Sequence, residues 1–487
     1  MSYCGYVTNL MSVREHTNAD NLVLATCFEN TVCVAKDKFF EGQLGVYFPV
    51  DGQLSMEFCE KNGLLAVYDE FGKNISGGYL DPSKRIIRAI KLRGEQSDGL
   101  FLPIECLAYT GVDLKSLTPG TPITVVNEHD ICKKYIPRKK NGKPSRVPAG
   151  QKLKKKNSTP TFFEHKDTEQ LVYHLNEFKP GDYIEITRKL HGTSGRTAFV
   201  PTFNGGYTTN NPIHKFIAKV LPAKKAQKFA EKHCTPVFDY GTVTGTRRTI
   251  LDTFDGGFYG SNEFRKKYHD FFECKLWKGE TVYYEIVGFT HDGASIMGQC
   301  SNKKLNDKEF VKQYGETTTF TYGCSPTGGK VIGHEAVYCG EVVDVVDEKP
   351  QSRIFVYRMT MTNEDGEVVE YTPDQVRHRC MNMGGDFVPV EWAGLIPEHP
   401  GSKDDPTITA GEWILKKAEQ FYDGPEPLDP THIREGVVVR IINRPTFTAY
   451  KHKNFSFKVL EGIIKDTATA PDMEEADGLD EEGNCDE

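Results

Sequence analysis

Three absences narrow this chain before anything present is considered. No apolar run reaches the ~18 residues needed to cross a bilayer, which excludes a membrane-spanning helix. The opening stretch MSYCGYVTNLMSVREHTNAD has neither the basic start nor the apolar core of an export signal, so an intracellular, cytoplasmic protein is expected. None of the thirteen cysteines forms a C-x-x-C pair, and their odd number and scattered spacing fit reduced thiols rather than a disulfide framework. Cys27 and Cys33, and the His233–Cys234 dipeptide, read as small buried groups rather than metal ligands.

What is present is uneven charge. The net charge of −8 is concentrated in the tail EEADGLDEEGNCDE, Glu474 to Glu487, which holds eight carboxylates and no lysine or arginine. Residues 466–487 therefore read as an acidic disordered tail. The opposite pole runs from Lys133 to Lys156, with eleven basic residues, no acid, three prolines and two glycines. That composition predicts a basic linker over 131–160, able to contact phosphate.

At 487 residues two or three domains are expected. Residues 1–130 show short strand patterns punctuated by Gly and Pro, as in NLVLATCFENTVCVAKDKF and RIIRAIKLRGEQSDGLFLPI, and predict a small OB-like β-barrel that binds nucleic acid. Residues 161–465 are again strand-rich, with helices expected at 211–233, broken by Pro222, and at 411–422. The fold class is thus α+β: a barrel followed by antiparallel sheets with flanking helices.

One stretch, IEITRKLHGTSGRTAFV at 184–200, carries the chemistry. Alternation on both sides of Gly192 and Gly195 predicts a hairpin, with Lys189 at the end of its first strand and Arg188 beside it. Three further strands bear charge on apolar scaffolds. VYYEIVGF holds Glu285, REGVVVRII is headed by Glu435, and TFTAYKHKNFSFKVLEG holds Lys451, Lys453 and Lys458. Charges of both signs converging on a cleft suit a polyphosphate bound with a metal ion. GCSPTGGK at 323–330 is a near miss to a phosphate loop, lacking the Ser or Thr after its lysine.

KLHGT at 189–193 resembles the nucleophile motif of the covalent nucleotidyltransferases, in the K-x-H-G-T form of one RNA-ligase branch. GTRRT at 245–249, YYEIVG at 283–288, IFVYRM at 354–359, REG at 434–436 and KHKN at 451–454 follow in the family's order. YFPVDGQLS and IKLRGEQSDGL, nearer the N-terminus, resemble the fifth RNA-ligase family, whose members carry an OB-fold ahead of the ligase domain.

The resemblance implies an ATP-dependent RNA ligase with Lys189 as the site of a covalent AMP intermediate. It implies that Glu285 and Glu435 serve a Mg2+ or Mn2+ ion and the ribose, and that Lys451, Lys453 and Lys458 meet the nucleotide phosphates. Leu190, His191 and Gly192 would line the nucleotide. Tyr357, or failing it Phe355, would stack on adenine, and Arg247 or Arg248 would hold an RNA 5′-phosphate. RNA ends in a nicked duplex or RNA/DNA hybrid are the implied partners, and a monomer is expected. Arg188 and the motif lysines are expected to free the Lys189 amine for attack. A capping guanylyltransferase and a non-catalytic RNA-binding protein on the same scaffold are the alternatives. Because every motif of nucleotidyl transfer lies beyond residue 185, deleting residues 1–155 is expected to spare lysyl–AMP formation and weaken nick sealing, unless the barrel also braces the ligase domain.

Overall fold

The computed structural model describes residues 3–28, 30–70, 74–135, 158–251, 253–255, 259, 261–328, 330–338, 341–401 and 407–466. Most of the basic linker and all but the first residue of the acidic tail lie outside the described residues. The architecture is mixed α+β, built mainly from antiparallel sheets with helices packed on them. No helix among the described residues is long and apolar enough to cross a membrane.

Two sheets position the site. In the five-stranded sheet the order is Glu169–Gln170, Thr448–Lys453, Gly436–Ile441, Tyr183–Lys189 and Val390–Leu395. The larger, six-stranded sheet runs Thr235–Gly245, Thr193–Thr208, Glu280–Gly288, Ser352–Thr362 and Val368–Glu370, with Asp386–Phe387 paired to Ser352–Thr362. Strand alternation puts Ile184 and Ile186, both fully buried, into one apolar cluster with Val437, Val439 and Ile414. Tyr284, Ile286, Val356 and Phe457 centre a second cluster. The opposite face of the first strand is not solvated either, since Glu185 is 2% exposed and accepts from Arg377 Nη1 at 2.5 Å.

The expected hairpin is not formed. Tyr183–Lys189 belongs to one sheet and Thr193–Thr208 to the other, so the chain crosses between sheets at Leu190–Gly192. The glycines are needed for close approach, not for a turn. A Cβ at Gly192 would lie 2.3 Å from the Ile286 carbonyl oxygen, and one at Gly195 2.3 Å from the Tyr284 ring.

Before this pair of sheets come a four-stranded sheet (Leu100–Pro103, Leu44–Phe48, Gly5–Asn9, Pro122–Ile123), a three-stranded one (Met11–Glu15, Leu22–Cys27, Asn30–Ala35) and several two-stranded ribbons. Among the described residues no strand order in this part closes on itself. The helical stretch at 211–233 divides as expected into Pro212–Val220 and Ala223–His233, with Pro222 capping the second. The expected 411–422 helix spans Ala410–Glu419 and starts with a capping box between Thr409 and Glu412.

Candidate active site

A cavity of about 260 Å³ opens where the two sheets meet. The crossing segment contributes Lys189, Leu190, His191 and Gly192, and the neighbouring strands bring Glu285, Glu435, Lys451 and Lys453. Lys458, from the helix Phe455–Asp466, and Arg247 also line it. Phe355 does not: it is 2% exposed in the apolar cluster, beneath the Arg353 guanidinium. Tyr357 stands one ring behind the cavity wall, edge-on to His165 at 5.2 Å, and it is His165 that faces the space. Of the two arginines, Arg247 lines the cavity while Arg248 is 45% exposed and outside it; both pair with Asp167 at 3.4 Å.

Lys189 Nζ lies 2.8 Å from Glu435 Oε1. Lys453 Nζ approaches the same oxygen at 3.5 Å and meets Glu461 Oε2 at 2.6 Å. Glu435 is 1% exposed, and although burial raises its pKa, Lys189, Lys453 and His191 together hold it below the usual carboxylate value. Burial, reinforced by Lys453, Lys189, Lys134 and Arg247, pushes Lys451 down to about 7. His191, buried between the rings of Phe320 and Phe457, is pushed down to about 4 chiefly by its burial and stays neutral at pH 7.

Backbone contacts fix the crossing. The Gly192 amide donates to Glu285 Oε1 at 3.1 Å, and the His191 amide donates to Tyr322 Oη at 2.6 Å. Buried Arg265 donates to the Ser194 carbonyl at 2.7 Å and to Thr193 Oγ1 at 2.6 Å. Sequence reasoning missed Arg265, Tyr322 and His165. None lies within a motif, and only the tertiary fold brings each to them.

Arg188 is not where the sequence placed it. It points away from the cavity, donating through Nε and Nη2 to Glu391 and through Nη1 to Glu426 at 2.8 Å. It is therefore engaged elsewhere and does not act beside the Lys189 amine. The near-miss phosphate loop also fails on geometry. Lys330 begins the strand Lys330–Tyr338, whereas a phosphate loop must open a helix; Gly329 within it lies outside the described residues.

The carboxylates fit a divalent ion in a limited way. Glu435 Oε2 is buried without a hydrogen-bond partner, as an oxygen reserved for a cation would be. Among the described residues no group of three His, Cys, Asp or Glu side chains could hold a metal by itself. Two carboxylates are nevertheless what Mg2+ or Mn2+ usually receives from protein when phosphate oxygens and water complete the shell.

No family model and no curated protein matches the chain. Solved structures do. A Lys-to-Ala mutant of Naegleria gruberi RNA ligase with ATP and Mn superposes with a TM-score of 0.50 at 15% identity, over 93% of this chain and 98% of that one. A second Lys-to-Ala mutant of that ligase with ATP and Mn gives 0.50 at 14%, over 96% and 99%. A Lys-to-Met mutant with AMP and Mn gives 0.50 at 14%, over 93% and 97%. At such identity the likeness is one of fold: the chain shares the fold of that RNA ligase along nearly its whole length.

Proposed function

We propose that the protein is an ATP-dependent RNA ligase that joins RNA 3′-OH and 5′-phosphate ends, with nicked duplex RNA or an RNA/DNA hybrid as substrate. The observation that carries this reading is the convergence of Lys189, Glu285, Glu435, Lys451 and Lys453 on one cavity at the junction of two sheets. The fold shared with an RNA ligase solved with ATP and Mn supports it.

In this reading Lys189 Nζ attacks the α-phosphorus of ATP. A nitrogen–phosphorus bond forms, and the bond to pyrophosphate breaks. Glu435 Oε1, at 2.8 Å, is within reach of the proton that the ammonium must lose. The RNA 5′-phosphate oxygen then takes AMP from the lysine, and the 3′-hydroxyl displaces AMP to close the phosphodiester. A bound Mg2+ or Mn2+ supplies charge neutralisation to the transferring phosphate. Glu285 and Glu435 would hold it. Lys451, Lys453 and Lys458 place positive charge around the phosphates, and Leu190, His191 and Gly192 form the floor. Arg247 is favoured over Arg248 for the RNA 5′-phosphate because it faces the cavity. Tyr357, through His165, is favoured over buried Phe355 at the adenine.

The division into an OB-like nucleic-acid-binding region at 1–130, a basic linker at 131–160 and a ligase domain at 161–465 belongs to the same reading. The test is incubation with radiolabelled ATP or GTP, followed by a panel of 5′-phosphorylated nicked duplexes. Label from ATP on wild-type protein but not on Lys189→Ala, with RNA nicks sealed, is expected. Label from GTP alone would point to a capping enzyme, and no label from either would end the ligase reading.

A further inference from the structure

The stretch between KLHGT and GTRRT contains a helix pair to which the proposed chemistry assigns no task. Pro212–Val220 and Ala223–His233 join the far ends of the paired strands Thr193–Thr208 and Thr235–Gly245. His214 meets Phe229 edge-on at 5.4 Å and His233 at 5.6 Å, so rings close the seam between the two helices. Residues 211–234 hold six lysines and one acid, Glu231. Lys215, Lys219, Lys224, Lys225, Lys228 and Lys232 are all exposed, and among the described residues none of them pairs with a carboxylate.

Lys215 and Lys219 stand four residues apart, as do Lys224, Lys228 and Lys232 in turn, and like charges at that spacing on a helix repel. An anion laid along them removes the repulsion. Four residues of helix rise about 6 Å, close to the spacing of successive phosphates along one strand of an A-form duplex. The longer helix turns Ala226, Phe229 and Ala230 inward and exposes four of the six lysines with Gln227 and Glu231. A bilayer holds a helix by an apolar face. The exposed large apolar side chains, Ile213, Phe216 and Val220, all lie on the shorter helix, so the longer one suits phosphate alone.

Position narrows the partner further. Thr193–Thr208 leaves the cavity directly after Gly192, and Thr235–Gly245 returns to it, with Arg247 just past its end. A strand rises about 3.4 Å per residue, so Thr235 stands roughly 34 Å from Gly245, close to one helical turn of duplex. We propose that the lysine-bearing helix pair is a second contact surface for duplex RNA, gripping backbone phosphates about one helical turn from the break that Arg247 would hold. This rests on the ligase reading. It makes the enzyme sensitive to the length of one duplex arm, because an arm much shorter than one turn never reaches the lysines.

The experiment measures binding of the full-length protein to 5′-phosphorylated nicked RNA duplexes by fluorescence anisotropy across a salt series. Each arm is cut in turn from about two helical turns to about half a turn. Wild-type binding should weaken by about tenfold when one arm is cut and stay unchanged when the other is. Lys224→Gln, Lys228→Gln and Lys232→Gln together should weaken binding by about tenfold, lower the slope of log K against log salt by about three, and abolish the arm dependence. Label transfer from ATP should stay at the wild-type level in that variant. Lys224→Arg, Lys228→Arg and Lys232→Arg together should bind as wild type, which separates lost charge from a disturbed helix. Unchanged affinity and salt slope in the glutamine variant, or equal dependence on both arms, would overturn the proposal. Co-sedimentation with vesicles of equimolar phosphatidylcholine and phosphatidylserine, lost in the glutamine variant while its RNA affinity is kept, would assign the lysines to lipid headgroups instead. Absence of label on the wild-type protein, with arm-dependent binding intact, would end the ligase reading and leave the duplex surface standing.

Discussion

Arg188 and Lys189 are neighbours on one strand, yet they end in different kinds of ion pair. Arg188 reaches two carboxylates, Glu391 and Glu426, and Glu391 takes a second arginine, Arg434, at 3.4 Å. Cations and carboxylates there are matched in number, and burial still raises the pKa of Glu426 despite Arg188. Around Lys189 the balance is different. Glu435 is shared between Lys189 and Lys453, Lys451 is pushed down to about 7, and one Glu435 oxygen has no hydrogen bond. A matched network holds a fold together, whereas a carboxylate shared by two lysines, beside a third lysine whose ammonium burial disfavours, suits an anion and a metal. Position in the sequence does not separate the two; the face of the strand does.

The sharpest way to break the comparison is to remove each cation in turn. Lys189→Ala should abolish label transfer from ATP while circular dichroism and melting remain near wild type. Full labelling of that variant would remove the distinction. Next in size, Glu285→Ala and Glu435→Ala should each lower metal-dependent activity by orders of magnitude, since a clamp on transferring phosphate contributes several kcal/mol to the transition state. A titration with Mg2+ and Mn2+ checks this, and near-normal rates in either variant would reassign that glutamate to structure.

On the other face, Arg188→Ala should cost about 3–5 kcal/mol of stability by leaving buried carboxylates uncompensated. Denaturant unfolding measures it, and label per folded molecule should change little. The smallest effect is a pH dependence. With Lys451 at about 7 in the folded protein and near 10.4 unfolded, the unfolded chain holds the extra proton between those values. The penalty of burying this ammonium is therefore complete below pH 7 and is relieved as pH rises towards 10. Lys451→Met should melt above wild type at about pH 6.5 and lose that advantage by about pH 9.5. An offset between the two curves that stays constant with pH would contradict the assignment.

Much of this was legible in the sequence, and the failures have physical causes. Alternation located the strand that ends on Lys189, and the isolated charges on apolar strands marked the residues that share the cavity. The glycines misled, because Gly192 and Gly195 allow close approach to the strand Glu280–Gly288 and leave the same trace as a turn. Arg188 misled because a neighbour in sequence on a strand points to the opposite side. The resemblance put Tyr357 ahead of Phe355 without showing that the Phe355 ring lies in the core. The ion pair of Asp98 with Lys458 was invisible, since nothing local to IKLRGEQSDGL announces a lysine hundreds of residues later.

The passage of the chain from one sheet to the other at Leu190–Gly192 has a consequence for biosynthesis. Lys189 leaves the ribosome early, but its partner Glu435 and the strand carrying Lys453 emerge near the end of translation. Contacts so distant in sequence form late in folding. A chain stalled before residue 435 carries Lys189 without the carboxylate that pairs with it, so under the proposed ligase reading uptake of label would report that synthesis and docking of both sheets are complete.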